Sequence, residues 1–86
     1  MKGYIVISHY NREMEKIGQA KSFEDAFKIM EEDFRATAID WGYEVNKENH
    51  IVGGDNVDGV LGDDFAFIDD NKGDRCDWSI FEININ

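Results

Sequence analysis

The residues of this 86-residue chain that could do chemistry are two histidines, one cysteine, three serines and two aspartate-rich segments containing glycine. His9 and His50 lie far apart in sequence, and neither sits in a spaced metal signature such as H-E-x-x-H. Cys76 is flanked by Asp74-Arg75 and Asp77, whose carboxylates disfavour the thiolate that a nucleophile needs. Ser8, Ser22 and Ser79 fall on a strand, a helix cap and a strand, and none occupies a nucleophile elbow. No glycine-rich loop opens a helix, so a phosphate cradle is not expected. Calcium fares little better. Asp69-Asp70-Asn71-Lys72-Gly73-Asp74 places glycine fifth, where a calcium loop wants a ligand, and has no glutamate twelfth. Gly54-Asp55-Asn56-Val57-Asp58-Gly59 puts glycine sixth, but Gly54 takes the first ligand position and Phe65 the twelfth. The expectation is a protein that is not an enzyme and holds no cofactor.

What remains is charge. Nineteen acidic side chains face nine basic ones, for a formal charge of −10 and a pI of about 4.4. Nucleic acid is excluded as a direct electrostatic partner, because its phosphates would meet a field of their own sign. Residues 1–54 carry ten acids and seven bases (−3), and residues 55–86 carry nine acids and two bases (−7). The excess thus concentrates towards the C-terminus, where Asp63-Asp64 and Asp69-Asp70 bracket one short apolar run. Four strand residues would hold those pairs roughly 13–16 Å apart, and Asp74 and Asp77 join the second group. On the helix described next, Glu31, Glu32 and Asp40 add charge beside Ile39, which projects away from the apolar stripe. These ten residues, from Glu31 to Asp77, are the expected contacts for a partner with a basic, partly apolar surface.

The elements that must position them are legible in outline. Residues 4–10 alternate, with Tyr4, Val6, Ser8 and Tyr10 on one face and Ile5, Ile7 and His9 on the other, which predicts a strand. Asn11-Arg12 offers a turn, and residues 13–21 return as a weaker, charged edge strand containing Gly18. Ser22 reads as an N-cap with Asp25 three residues on. From there Phe23, Ala26, Phe27, Met30, Phe34, Thr37, Ala38 and Trp41 repeat at 3.6-residue spacing, and Gly42 supplies a stop. Tyr43–Val45 suggests a short strand. Residues 46–64 hold four of the eight glycines and read as a long Gly/Asp-rich loop with a short ladder at 51–52 or 60–61. Residues 65–68 and 78–83 form a hairpin. The order is β-β-α-β-β: α+β, about four antiparallel strands with one long helix packed on the sheet.

Length and composition bound the class. Eighty-six residues make one domain, 1–86, which buries roughly 60–65% of its unfolded surface. Hydrophobic residues at 42% and aromatics at 13% are too rich for disorder. A single cysteine makes neither an internal disulfide nor a thiolate zinc site. The first residues show neither a signal-peptide core nor a membrane span, so a cytoplasmic protein without membrane attachment is expected.

In size, charge, lack of catalytic motifs and α+β plan, the chain resembles the small acidic anti-defence proteins of phages and mobile elements, the anti-CRISPR and anti-restriction DNA mimics. Gly3-Tyr4-Ile5-Val6-Ile7-Ser8-His9-Tyr10 and Phe23-Glu24-Asp25-Ala26-Phe27 also look like small proteins of Gram-positive bacteria and their mobile elements. The first resemblance implies a stoichiometric inhibitor, monomeric or weakly dimeric, that occupies a basic nucleic-acid-binding surface of another protein. Two other readings stand beside it. One is a small-ligand or divalent-metal-binding domain built on the acidic loops at 46–64 and 69–74. The other is a self-associating structural domain using the 13–21 edge.

Overall fold

A computed structural model describes residues 2–54 and 56–84. β1 (Lys2–Tyr10) and β2 (Glu13–Ala20) form a hairpin, followed by the helix α1 (Phe23–Asp40). The chain then makes β3 (Glu44–Val45), β4 (Ile51–Val52), β5 (Asp58–Leu61), β6 (Phe65–Asp69) and β7 (Arg75–Asn84). Five of these strands build one antiparallel sheet in the order β2-β1-β7-β6-β5, and β3 pairs with β4 separately. The helix packs on one face of the large sheet, giving the α+β plan that the sequence predicts.

Seven strands among the described residues exceed the four or so expected. The difference lies in three short strands: β3, where a short strand is expected at 43–45, and β4 and β5, since the short ladder expected at 51–52 or 60–61 forms at both places. Ile51 and Leu61 are buried there, and Leu61 N–H donates to the Asn49 carbonyl at 2.8 Å. Strands of two and four residues are too short to show an alternation, and Gly59 interrupts the longer one. Gly59 is nevertheless required: a Cβ there would run into the Ile51 side chain and lie 2.8 Å from the Phe67 carbonyl oxygen. Asp55, from the second aspartate–glycine segment, lies outside the described residues.

The helix boundaries follow from its caps. Ser22 Oγ accepts from the Asp25 N–H at 3.1 Å, satisfying one of the free donors of the first turn. At the other end Gly42 adopts φ +88°, a conformation that costs a glycine little. Its N–H reaches the Ile39 carbonyl while the Tyr43 N–H reaches that of Ala38, closing a Schellman motif. Ala26, Met30, Phe34 and Ala38 are buried, matching the predicted stripe, but Phe23 is 39% exposed.

The helix sits on Val6, Ser8, Ala66, Ile68, Cys76 and Trp78, which alternation places on one side of the sheet. Phe34 meets Trp78 edge-on, with ring centroids 5.5 Å apart. The indole Nε1–H of Trp78, otherwise sealed in the core, donates to Asp33 Oδ2 at 2.6 Å. Gly18 on β2 lets the helix approach closely, since a Cβ there would stand 2.8 Å from Ile29 Cγ2. β1 and β2 shift register between Val6 and Ile7, a bulge of the kind that blunts an edge strand.

Candidate functional site

The predicted contact residues do not form one surface. They fall into three groups, and the fold treats each differently.

The first group is at the β6–β7 turn. Asp69 and Asp77 flank Arg75, which donates to Asp77 through Nε and Nη2, both at 3.0 Å, and to Asp69 through Nη1 at 3.2 Å. The hydrogen bond to Asp77, followed by that to Asp69, holds the guanidinium above its ordinary pKa. Arg75 also stacks 4.7 Å from the centre of the Phe67 ring. Asp70 serves the turn itself: its Oδ1 accepts from the Lys72 and Asp74 N–H groups, while Asn71 and Gly73 supply positive φ. Asp74 accepts from the Tyr10 hydroxyl at 3.3 Å. Burial and then the Asp74 charge raise the Tyr10 pKa. Four expected contacts are therefore engaged within the fold. Arg75 is the organiser that sequence reasoning missed. The strand expected at 78–83 begins instead at Arg75, and this earlier start places Arg75 and Asp77, two apart, on one face.

The second group is Asp63 and Asp64, exposed in the turn between β5 and β6. Among the described residues no ion pair or side-chain hydrogen bond engages either carboxylate. Only the main chain is used, through the Ile80 N–H donating to the Asp64 carbonyl at 3.0 Å. From Asp64 to Asp70 the path along β6 spans about 20 Å, so the two acidic turns stand at opposite ends of one strand.

The third group is on the helix. Glu31 accepts from Arg35 Nη2 at 3.3 Å, and the same nitrogen donates to Asn49 Oδ1. Glu32 and Asp40 are exposed, and Ile39 is 74% exposed between them. No basic residue lies in the last turn to offset Asp40 against the helix dipole.

The other chemical candidates are placed as follows. His9 stands on β1 opposite Asp77, and exposed His50 bridges Val60 at the β5 edge. His50, Asp58, Phe67, Asp69 and Arg75 line a shallow depression of about 420 Å³. A second, of about 660 Å³, lies between the β1–β2 turn and Gly73, lined by Tyr10, Arg12 and Glu13. Cys76 is buried, and its thiol is pushed up to about 12 by burial, then by Asp33 and Asp77. It is a protonated core residue at neutral pH. Among the described residues, no group of three or more His, Cys, Asp or Glu side chains is placed to hold a metal ion. None of their helices is long and apolar enough to cross a membrane.

The sheet has a second face that no described element covers. Ile5, Ile7, Phe65, Phe67, Phe81 and Val60 alternate onto it, opposite the helix. Phe65 is 47% and Phe81 50% exposed. No family model, no curated protein and no solved structure matches this chain.

Proposed function

We propose that this chain is a small, non-enzymatic acidic binding protein that occupies a basic, nucleic-acid-binding surface of another protein, as anti-CRISPR and other anti-defence DNA mimics do. The observation that carries the reading is the set of outward carboxylates left without a basic partner among the described residues. Asp63, Asp64, Glu32 and Asp40 are exposed, and the ion pairs among the described residues use other acids. The two acidic turns at either end of β6 give a rigid spacing of about 20 Å. That is long enough to span a cleft built for a groove of about 12 Å and the phosphates flanking it. Asp69 and Asp77 are demoted from first contacts to supports, because Arg75 already neutralises part of their charge. In this reading the protein acts in the cytoplasm, where such enzymes work.

The experiment is a titration of the chain against CRISPR effector nucleases and restriction enzymes, with duplex DNA as competitor and ionic strength as the variable. The expected result is association that DNA displaces and that weakens at least tenfold between about 0.05 M and about 0.5 M salt. The double variant Asp63→Asn/Asp64→Asn should weaken it by about tenfold as well, since each lost charge pair contributes on the order of 0.5–1 kcal/mol. Association that ignores both salt and DNA would end the mimicry reading.

A further inference from the structure

We propose that the uncovered face of the five-stranded sheet is the docking surface for a second copy of this chain, so that the protein is a face-to-face dimer with its helices outermost. This inference stands on the sheet, independently of the acidic turns and helix that carry the proposed function.

Alternation places Lys16 and Arg75 on the open face together with Asp58, Asp69 and Asp77. That is a balance of −1 on the face of a molecule whose total is −10. The acidic surplus is directed onto the helix and the turns; on the open face Ile5, Ile7, Phe65 and Phe81 surround Ser79 of the central strand β7, with the Arg75–Asp77 pair towards one end. A surface meant for a basic partner would carry the surplus; a surface meant for its own likeness must not.

Three of the six phenylalanines lie on this face, and aromatic anchors ringed by polar groups are what stable interfaces bury. Arg75 lies over Phe67 at one end, held flat by its two carboxylates. It is already desolvated on one side, so covering it costs less than covering a free cation.

Five strands at their usual spacing and the nine-residue pairing of β1 with β7 give a face of roughly 20 by 30 Å. Two such faces bury about 1,200 Å², the lower bound of a specific interface. The molecule measures 46 × 29 × 16 Å, so its shortest extent accommodates only one helix layer and one sheet layer. A second sheet packed about 10 Å away converts the open face into the interior of a four-layer α-β-β-α sandwich.

Sedimentation of the full chain from about 1 μM to about 1 mM, the range of moderate to weak affinities, tests this. The expected result is a species of twice the 9.9 kDa chain mass. Phe81→Lys should weaken it by about a hundredfold, while Ile39→Lys, on the exposed face of the helix, should change it by less than about twofold. The dimer should also tighten as salt rises from about 0.01 M to about 0.15 M, because screening relieves the repulsion between two acidic molecules. Partner binding through the acidic turns responds to salt in the opposite direction, so the two ideas fail separately. Should Phe81→Lys not fold, a mixed-isotope sample of the unaltered chain decides. Contacts from the Phe81 ring to Ile5 of the other copy support the dimer, and contacts confined to the β2 edge overturn it. A monomer throughout the range, or a dimer indifferent to Phe81→Lys, also overturns it.

Discussion

The two faces of the large sheet are made by the same strands, residue by alternating residue, yet they obey different constraints. On the covered face Val6, Ala66, Ile68 and Trp78 are at most 1% exposed and pack against Met30 and Phe34. Side-chain size there is dictated by neighbours, and the Trp78 indole N–H, buried beside them, is given a carboxylate. On the open face Phe65 and Phe81 are 47% and 50% exposed, Ile5, Ile7, Val60 and Phe67 are partly covered, and the charges pair sideways among themselves. The lesson is that one alternation can encode a core and an interface together. The first decides whether the chain folds, and the second governs what it meets once folded.

Substitutions at matched positions separate the two faces most directly. Trp78→Ala should cost about 3–5 kcal/mol, through the lost burial and the cavity that remains. Against a domain stability of about 5–15 kcal/mol, that leaves the chain near its unfolding limit. Phe81→Ala, on the other face and 50% exposed, should cost less than about 1 kcal/mol in the monomer. Urea unfolding of both variants checks the pair. Equal costs would mean that the open face is as structural as the covered one. Asp33→Ala falls between them, at about 1–3 kcal/mol, because it leaves the buried indole donor without a partner.

The covered face also has a signature in pH. Burial first, and then Asp33 and Asp77, raise the Cys76 thiol from 9.0 to about 12. The folded chain therefore keeps a proton that the unfolded chain gives up above pH 9. This contribution to stability is fully present below pH 9 and is lost progressively as pH rises towards about 12. In the steepest part of that window its slope approaches, and does not exceed, about 1.4 kcal/mol per pH unit. Unfolding measured from pH 8 upwards should fall more steeply for the native chain than for Cys76→Ala. Parallel curves would show that Cys76 is accessible to solvent.

How much of this was legible in the residues divides along physical lines. The helix was readable from Ser22 to Gly42 because cap, periodicity and stop agree locally, and each operates within a few residues of itself. β1 and its two faces were readable for the same reason. Residues 46–64 were readable only as a loop with a short ladder at 51–52 or 60–61, since the full extent of β4 and β5 is defined by what lies beside them: Ile51 packs over Gly59, and Leu61 borrows its hydrogen bond from Asn49. The acidic contacts were legible as types but not as partners. Nothing in Asp69 or Asp77 alone reveals that a hairpin register brings both to Arg75, and that register separates engaged carboxylates from the open ones at Asp63 and Asp64. Pairing across a turn is non-local information, and a reading along the chain counts charges before it can cancel them.

The smallest expected effect lies on the open face. Arg75 makes two ion pairs and a cation–π contact, yet its side chain is 49% exposed. An exposed network of this kind contributes about 1 kcal/mol or less, because water screens it and side-chain entropy opposes it. Arg75→Ala should therefore lower stability by about that amount at low salt, and by about half as much near 1 M, where the Debye length is only about 3 Å. The same substitution moves the open face from −1 to −2, so a dimer formed through that face should weaken more than the monomer does. Thermal unfolding and sedimentation on one sample set separate the two effects. A larger loss in monomer stability than in association would place Arg75 with the core residues, and would remove the distinction between the faces at the point where they differ most.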